Sequence, residues 1–398
     1  MISVEEARTR VLEKLQGTRA ETISLAQGFG RVLAEPVRAR LNQPPADVSS
    51  MDGYALRAVD GVAGARLKLI GAAPAGHPFG GAVGPGEAVR LFTGGFVPAG
   101  ADTVLIQENA TAEQGFVTLN HACEPGRHIR RQGQDFTVGE TLIPAGKRLS
   151  ARDIGLAASS NAPWLRVHRK PRIAILATGD EISLPGEAIG PGGIVSSNTH
   201  ALAAFVLACG AEPLVLPIAG DDRDAIAAGA DAARGTDMML TTGGVSVGAH
   251  DLVQAGLETR GFVLDFWKIA MRPGKPLMFG WLGGLPILGL PGNPVSALVG
   301  AVLFLRPAIE RMSGLACAAP MTELVRLGGS LRQNDVREDY MRATLTRDGA
   351  DWVAIPHPAQ DSAMMKNLAL AEALIRRPPH QAALSAGDVV EIIRLGDL

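Results

Sequence analysis

Few cysteines, almost no net charge and no long apolar run narrow what this chain can be. Cys123, Cys209 and Cys317 are the only cysteines in 398 residues, and none has a CxxC or CxxH neighbour. An odd, scattered set supports neither a disulfide framework nor a zinc site, so all three are read as reduced thiols, with Cys209 in a core. A net charge of −2 and a pI near 6.5 provide no global basic field for nucleic acid or an anionic membrane. Any bound anion must therefore be held by a local cluster. The longest apolar stretch, 295–305, is broken by Ser296 and Gly300, and it falls short of the roughly 20 residues that cross a bilayer. The opening MISVEEARTRVLEKL reads as an amphipathic helix with Ser3 and Glu6 placed as a capping box, not as a secretion leader. A soluble, cytoplasmic protein without nucleic-acid or membrane partners is expected.

At this length and 46% apolar content the chain can fill several cores. Residues 1–43 and 147–167 read as an interrupted helical and mixed domain, in which ARDIGLAASS, capped by Ser150 and Asp153, returns to the first helix. Residues 44–146 are dense in glycine and proline, with short β-prone runs such as RLKLIG and DTVLIQEN, as in a small β-rich domain. From 168 to 317 apolar strands alternate with helical patterns, which predicts strands at 172–177, 213–218, 237–241 and 286–290 in a three-layer α/β/α sandwich. Residues 318–398 read as a β-rich, barrel-like terminal domain.

Each predicted sandwich strand ends in a glycine-rich or acidic turn: TGDE at 178–181, GDD at 220–222, TTGGVSVG at 241–248 and LPGNP at 290–294. Open α/β sheets bind ligands at the carboxyl ends of their strands, so the four turns describe one crevice. In TTGGVSVG, Gly243 and Gly244 let the backbone approach an oxyanion, and Ser246 precedes a helix start whose N–H groups can donate. No GK[ST] follows, and the spacing is not a dinucleotide fingerprint, which disfavours those two nucleotide modes. Glu181, Asp221 and Asp251 line up with these turns. Each can be a helix cap, but several around one crevice suit magnesium, which takes one or two carboxylates plus substrate phosphates.

FWKIAMRPGKP at 266–276 supplies positive charge through Lys268, Arg272 and Lys275 on a loop shaped by Pro273 and Gly274. LPGNPVSA contributes Pro291, Asn293, Pro294 and Ser296 at a rigid helix start. Outside the sandwich, PPADVSSMDGYAL carries Asp52. In RRQGQDF, Arg130 and Arg131 stand near Asp135 as a candidate surface ion pair.

Together these segments resemble the molybdopterin molybdenumtransferase family, the bacterial MoeA proteins and the E domain of gephyrin. SSMDGYA, FTGG, RRQGQDF, ATGDE, GDD, TTGGVSVG, WKIAMRPGKP, LPGNPVS and QDSAMM occur in register along nearly the whole chain. The resemblance implies a cytoplasmic homodimer that takes adenylated molybdopterin and molybdate, hydrolyses the adenylate with magnesium and places molybdenum on the dithiolene. It also implies a site shared between the sandwich of one subunit and the small β domain of the other. Matching positions are Asp52, Thr93, Asp135, Glu181, Asp221, Asp251, Lys268, Arg272, Pro291, Pro294, Arg342 and Ser362. On that basis Glu181, Asp221 and Asp251 hold magnesium or water, while Lys268, Arg272 and Lys275 hold the pterin phosphate or molybdate. Contacts with a molybdopterin adenylyltransferase and with recipient molybdoenzymes follow from the same resemblance.

The match has departures: Ala249 and Gln254 stand where GDxDxxK has acid and lysine, Phe96 where Ala-Pro is common, and Asp361 where glycine is usual. These keep a non-catalytic cofactor carrier or scaffold as an alternative. A molybdopterin adenylyltransferase shares the sandwich and the TGGVS turn but consists of one domain only.

Overall fold

A computed structural model describes residues 1–243, 252–316 and 319–396. Gly244, Ser246, Ala249, Asp251 and Cys317 lie outside the described residues. The chain divides into two compact units, one of Thr22–Phe29 with Glu35–Arg166, the other of Met1–Glu21, Gly30–Ala34 and Val167–Leu398.

The smaller unit is built on a six-stranded sheet of β1 (Gly53–Leu56), β2 (Arg66–Ala73), β3 (Glu87–Leu91), β4 (Thr103–Ile106), β5 (Ala110–Glu113) and β6 (Phe116–Leu119), in the order β4-β1-β3-β2-β6-β5. Side chains alternate across a strand. Tyr54 and Leu56 accordingly pack with Leu67, Leu105 and Val117 on one face, and Ala55 packs with Val89, Leu91 and Val104 on the other. Gly53 is required here, because a Cβ would lie 2.0 Å from the Leu105 carbonyl oxygen. Helix α2 (Ala151–Ser159) starts with the expected capping box: Asp153 accepts from Ser150 N–H at 2.8 Å, and Ser150 Oγ accepts from Asp153 N–H. Asp153 also pairs with Lys147 at 2.6 Å. Burial pushes its carboxyl up, but the bonds from Lys147 and Ser150 outweigh this and hold it at about 2.

In the larger unit β7 (Arg172–Ala177), β8 (Glu212–Val215), β9 (Met238–Thr242), β10 (Phe262–Trp267), β12 (Met278–Leu282) and β13 (Leu285–Leu290) form the sheet β8-β7-β9-β13-β12-β10, whose first four strands are parallel. Ile173, Ile175, Met238 and Leu288 face α1 (Val4–Glu13), α3 (Asn198–Ala208) and the helices after Asn293. Ala174, Leu176, Met239 and Ile287 face α4 (Arg223–Ala232) and α5 (Leu252–Glu258). This is the expected three-layer sandwich, with differences. FWKIAMRPGKP, expected as a loop, begins as the end of β10, which with β12 is antiparallel to its neighbour and closes one sheet edge. Helix α1 buries Val4, Ala7 and Val11 in the core of this unit, whereas α2 belongs to the other. Its cap is half the expected box: Ser3 accepts from Glu6 N–H at 3.0 Å, while Glu6 pairs forward with Arg10 at 2.9 Å. The long apolar helix is α6 (Pro294–Gly300), a wide π turn over 301–305 and α7 (Arg306–Met312). Pro307 lacks an N–H, and its ring crowds the carbonyl of Leu303, which widens that turn. Among the described residues no helix is long and apolar enough to cross a membrane. Cys209 lies in the core, as expected.

After the sandwich, β14 (Glu323–Leu327), β15 (Glu338–Asp348), β16 (Asp351–Pro356), β17 (Ala373–Arg377) and β18 (Val389–Arg394) form a closed barrel in the order β15-β16-β14-β18-β17, shut by β15 against β17. A two-residue strand from the sandwich, β11 (Met271–Arg272), adds onto β15 in parallel.

Candidate functional site

Backbone bonds past the strand ends gather the turns. Thr178 N–H donates to Thr242 O and Gly179 N–H to Ala219 O, both at 3.1 Å. Asn198 Nδ2 donates to Thr242 Oγ1 and to Gly292 O, both at 2.8 Å, tying the β9 turn to the β13 turn. Gly243 adopts φ +94°, and a Cβ there would lie 2.3 Å from Thr178 O, so a side chain would part the two turns. Asn198 was not singled out in the sequence; its role as a tie depends on partners 44 and 94 residues away.

The acids of these turns divide by task. Asp222 caps α4 through Ala225 N–H at 2.9 Å, and Asp180 accepts from Asp221 N–H at 3.0 Å. Glu181 and Asp221 are exposed. Among the described residues their carboxylates make no hydrogen bond or ion pair. No group of three or more His, Cys, Asp or Glu is placed to hold a metal among the described residues. Two free carboxylates on adjoining turns still fit magnesium, which completes its shell with water and substrate phosphate.

A second feature, a cleft of about 390 Å³, gathers Arg272, Lys275, Pro291, Asn293, Ser296 and Ser362, and adds Arg337, Gln360 and Asp361, which sequence reasoning had not assigned to substrate binding. The pairing of β11 with β15 sets Arg272 opposite Asp339. Arg272 bonds to Asp335 and faces Asp339 at 3.5 Å. Burial pushes the Asp339 carboxyl up, opposed by Arg272, Arg342 and Arg377. Ser362 is held on the helix start: its Oγ accepts from Asn293 Nδ2 at 2.8 Å and its carbonyl from Val295 N–H at 3.1 Å.

Arg342, Pro294 and Lys268, matched to substrate binding, do not line the cleft. Arg342 is 1% exposed. It lies beneath loop 360–362, with its N–H donating to Gln360 Oε1 at 2.9 Å and its guanidinium to Asp361 O at 3.3 Å. Burial depresses its pKa. Pro294 occupies the first turn of α6. Lys268, at φ +73°, rests its Nζ 3.7 Å over the Trp267 ring and is not among the cleft residues.

In the smaller unit Asp52 accepts from Thr93 N–H at 2.7 Å and Thr93 Oγ1 at 2.8 Å, and these donors hold its carboxyl below the ordinary range. Asp135 and Arg130 line a cleft of about 580 Å³ with Gly94 and Phe96, next to Thr93. The candidate pairing of Arg131 with Asp135 is replaced by Arg131 with Asp47 at 2.6 Å. Asp47 is pre-set by Gln132 N–H at 2.9 Å, which turns it toward the arginine.

The chain matches the family models for the MoeA N-terminal region, domains I and II, over residues 2–160, for a probable molybdopterin binding domain over 174–311, and for the MoeA C-terminal region, domain IV, over 325–395. It is 35% identical to the molybdopterin molybdenumtransferase of Nostoc sp. over 94% of this chain and 88% of that protein. It is 34% identical to molybdopterin molybdenumtransferase 2 of Mycobacterium tuberculosis over 98% and 99%. A crystal structure of the molybdopterin biosynthesis moea protein from Pyrococcus horikosii superposes with TM-score 0.88 at 28% identity, covering 99% of both chains.

Proposed function

The chain belongs to the MoeA family, and on that premise we propose that it is a molybdopterin molybdenumtransferase acting on adenylated molybdopterin and molybdate. The observation that carries this reading is the cleft in which Arg272, Lys275, Asn293 and Ser362 converge. Guanidinium, ammonium, amide and hydroxyl donors around one space suit a tetrahedral dianion.

Adenylate release needs no covalent enzyme intermediate: water adds to phosphorus, the anhydride bond breaks and AMP leaves with the electron pair. The protein positions the groups and neutralises charge. Glu181 and Asp221 are the described residues that would hold magnesium, which when bound would supply positive charge at the phosphates. Asp221 N–H is spent on Asp180, which fixes the turn and leaves the Asp221 carboxylate to ligand or water. Ser362 and Lys275 orient the oxyanion, and Arg342 stiffens the loop that carries Ser362. Asp52, pre-set by Thr93, and Asp135 act from the small unit of a partner copy in a cytoplasmic homodimer, which also meets a molybdopterin adenylyltransferase and recipient molybdoenzymes.

Molybdate-dependent release of AMP from adenylated molybdopterin by the purified protein tests this. Tight binding of the nucleotide with no AMP formed would turn the reading into that of a carrier.

A further inference from the structure

This inference rests on the cleft being an oxyanion site. A third cation, Arg337, opens onto the same space as Arg272 and Lys275. It comes from segment 334–337 ahead of β15, and that segment is fixed. Buried Asn334 donates Nδ2 to the carbonyls of Arg337, Arg377 and Pro378 at 2.9, 3.1 and 2.8 Å. The Asp335 carbonyl accepts from His380 N–H at 2.8 Å, and Asp335 Oδ1 accepts from Arg337 N–H at 2.8 Å.

Asp335 Oδ2 then takes a bond from Arg337 at 3.1 Å and another from Arg272. Asp335 is not among the residues lining the cleft, whereas both arginines are; its Oδ2 engages one arm of each fork, and Asp339 faces the other terminal arm of Arg272 at 3.5 Å. A guanidinium carries N–H groups in a rigid fork, so one bound arm aims the others. The lining holds three cations, Arg272, Lys275 and Arg337, against one carboxylate, Asp361, whose Oδ1 is occupied by Ala363 N–H at 2.7 Å. Asp335 and Asp339 already balance the two arginines, so what the cleft offers a dianion is aimed N–H donors and the Lys275 ammonium, not a net surplus of charge.

We propose that Arg337 is a further ligand for the tetrahedral dianion, and that Asp335 is the positioning residue that aims Arg337 and Arg272 at it together. Molybdate and a phosphate group share this chemistry.

The test is calorimetric titration of the intact protein with molybdate and, separately, with inorganic phosphate. Arg337→Gln is expected to weaken binding roughly tenfold at an unchanged melting temperature. Arg337→Lys, which keeps the charge without the fork, restores part of the loss and guards against a folding defect. Asp335→Asn is expected to weaken binding about fivefold, an effect that shrinks when Arg337 is already Gln, because the two act through one group. Weakening toward either anion sustains the proposal, and the anion affected identifies the ligand. Wild-type affinity in Arg337→Gln overturns the ligand role. Tighter binding in Asp335→Asn makes the carboxylate a competitor and overturns the positioning role. If Lys275→Ala weakens molybdate binding and Arg337→Gln does not, this inference alone falls; if the wild-type protein binds neither anion, the oxyanion reading falls with it.

Discussion

At the strand-end turns Glu181 and Asp221 stand exposed and without partners among the described residues, whereas beside the barrel Arg272 and Arg337 are already held by Asp335 and Asp339. On the proposed function, the difference matches what each side would take up. A free carboxylate keeps its lone pairs for a cation that arrives with substrate and water. A guanidinium fixed in advance loses less side-chain entropy when an anion binds. In the smaller unit Asp52 resembles the barrel side, since two bonds from Thr93 fix it before any ligand is present.

Substitutions can break this comparison. The largest effect is expected from Asp52→Ala, a loss of metal insertion on the order of 10³-fold with little change in melting, because a turn carboxylate supports no core. Turnover near wild type in that variant would remove the smaller unit from the site. Glu181→Gln should lower magnesium-dependent AMP release by about 10²-fold and leave molybdate affinity untouched; a drop in affinity instead would erase the division between acidic turns and basic cleft. Lys275→Ala should do the reverse, weakening molybdate binding about tenfold beside an unchanged thermal melt. A large melting loss with the same titration would show that its loop is structural.

The smallest effect concerns Asp153, a carboxylate used only for stability. Its folded value of about 2 lies below the ordinary 3.8. Its contribution is therefore present above pH 4 and disappears as pH falls from there toward 2. Asp153→Asn should cost about 1 kcal/mol at neutral pH and flatten that acid limb in a pH series of melts. An unaltered limb would assign the acid sensitivity elsewhere.

The parallel strands were legible because each is an apolar run stopped by a glycine turn, and β7 falls at 172–177 as expected. Strands β10 and β12 were not. Val263 is exposed, Asp265 and Trp267 are half-buried, and no clean alternation marks β10 as an edge strand. Lys275, Asn293 and Ser362 were recognisable by motif and do share a cleft. Arg342 was also matched by motif, but its burial beneath that cleft depends on barrel closure, which no local pattern announces. Asp335 and Arg337 sit in QNDVRED, which reads as a solvated surface run; their importance comes from Arg272, more than 60 residues earlier. Asp47 was missed for the same reason, since it meets Arg131 from 84 positions away.

Strand β11 has a practical consequence. Met271 and Arg272 leave the sandwich to hydrogen-bond with Glu338 and Asp339 of the barrel. Cutting the chain ahead of the barrel would orphan those backbone groups and release Arg272 from both its acidic anchors. The terminal domain is thus not a detachable appendage, and truncated sandwiches are unsuitable proxies for measuring how this protein holds its anion.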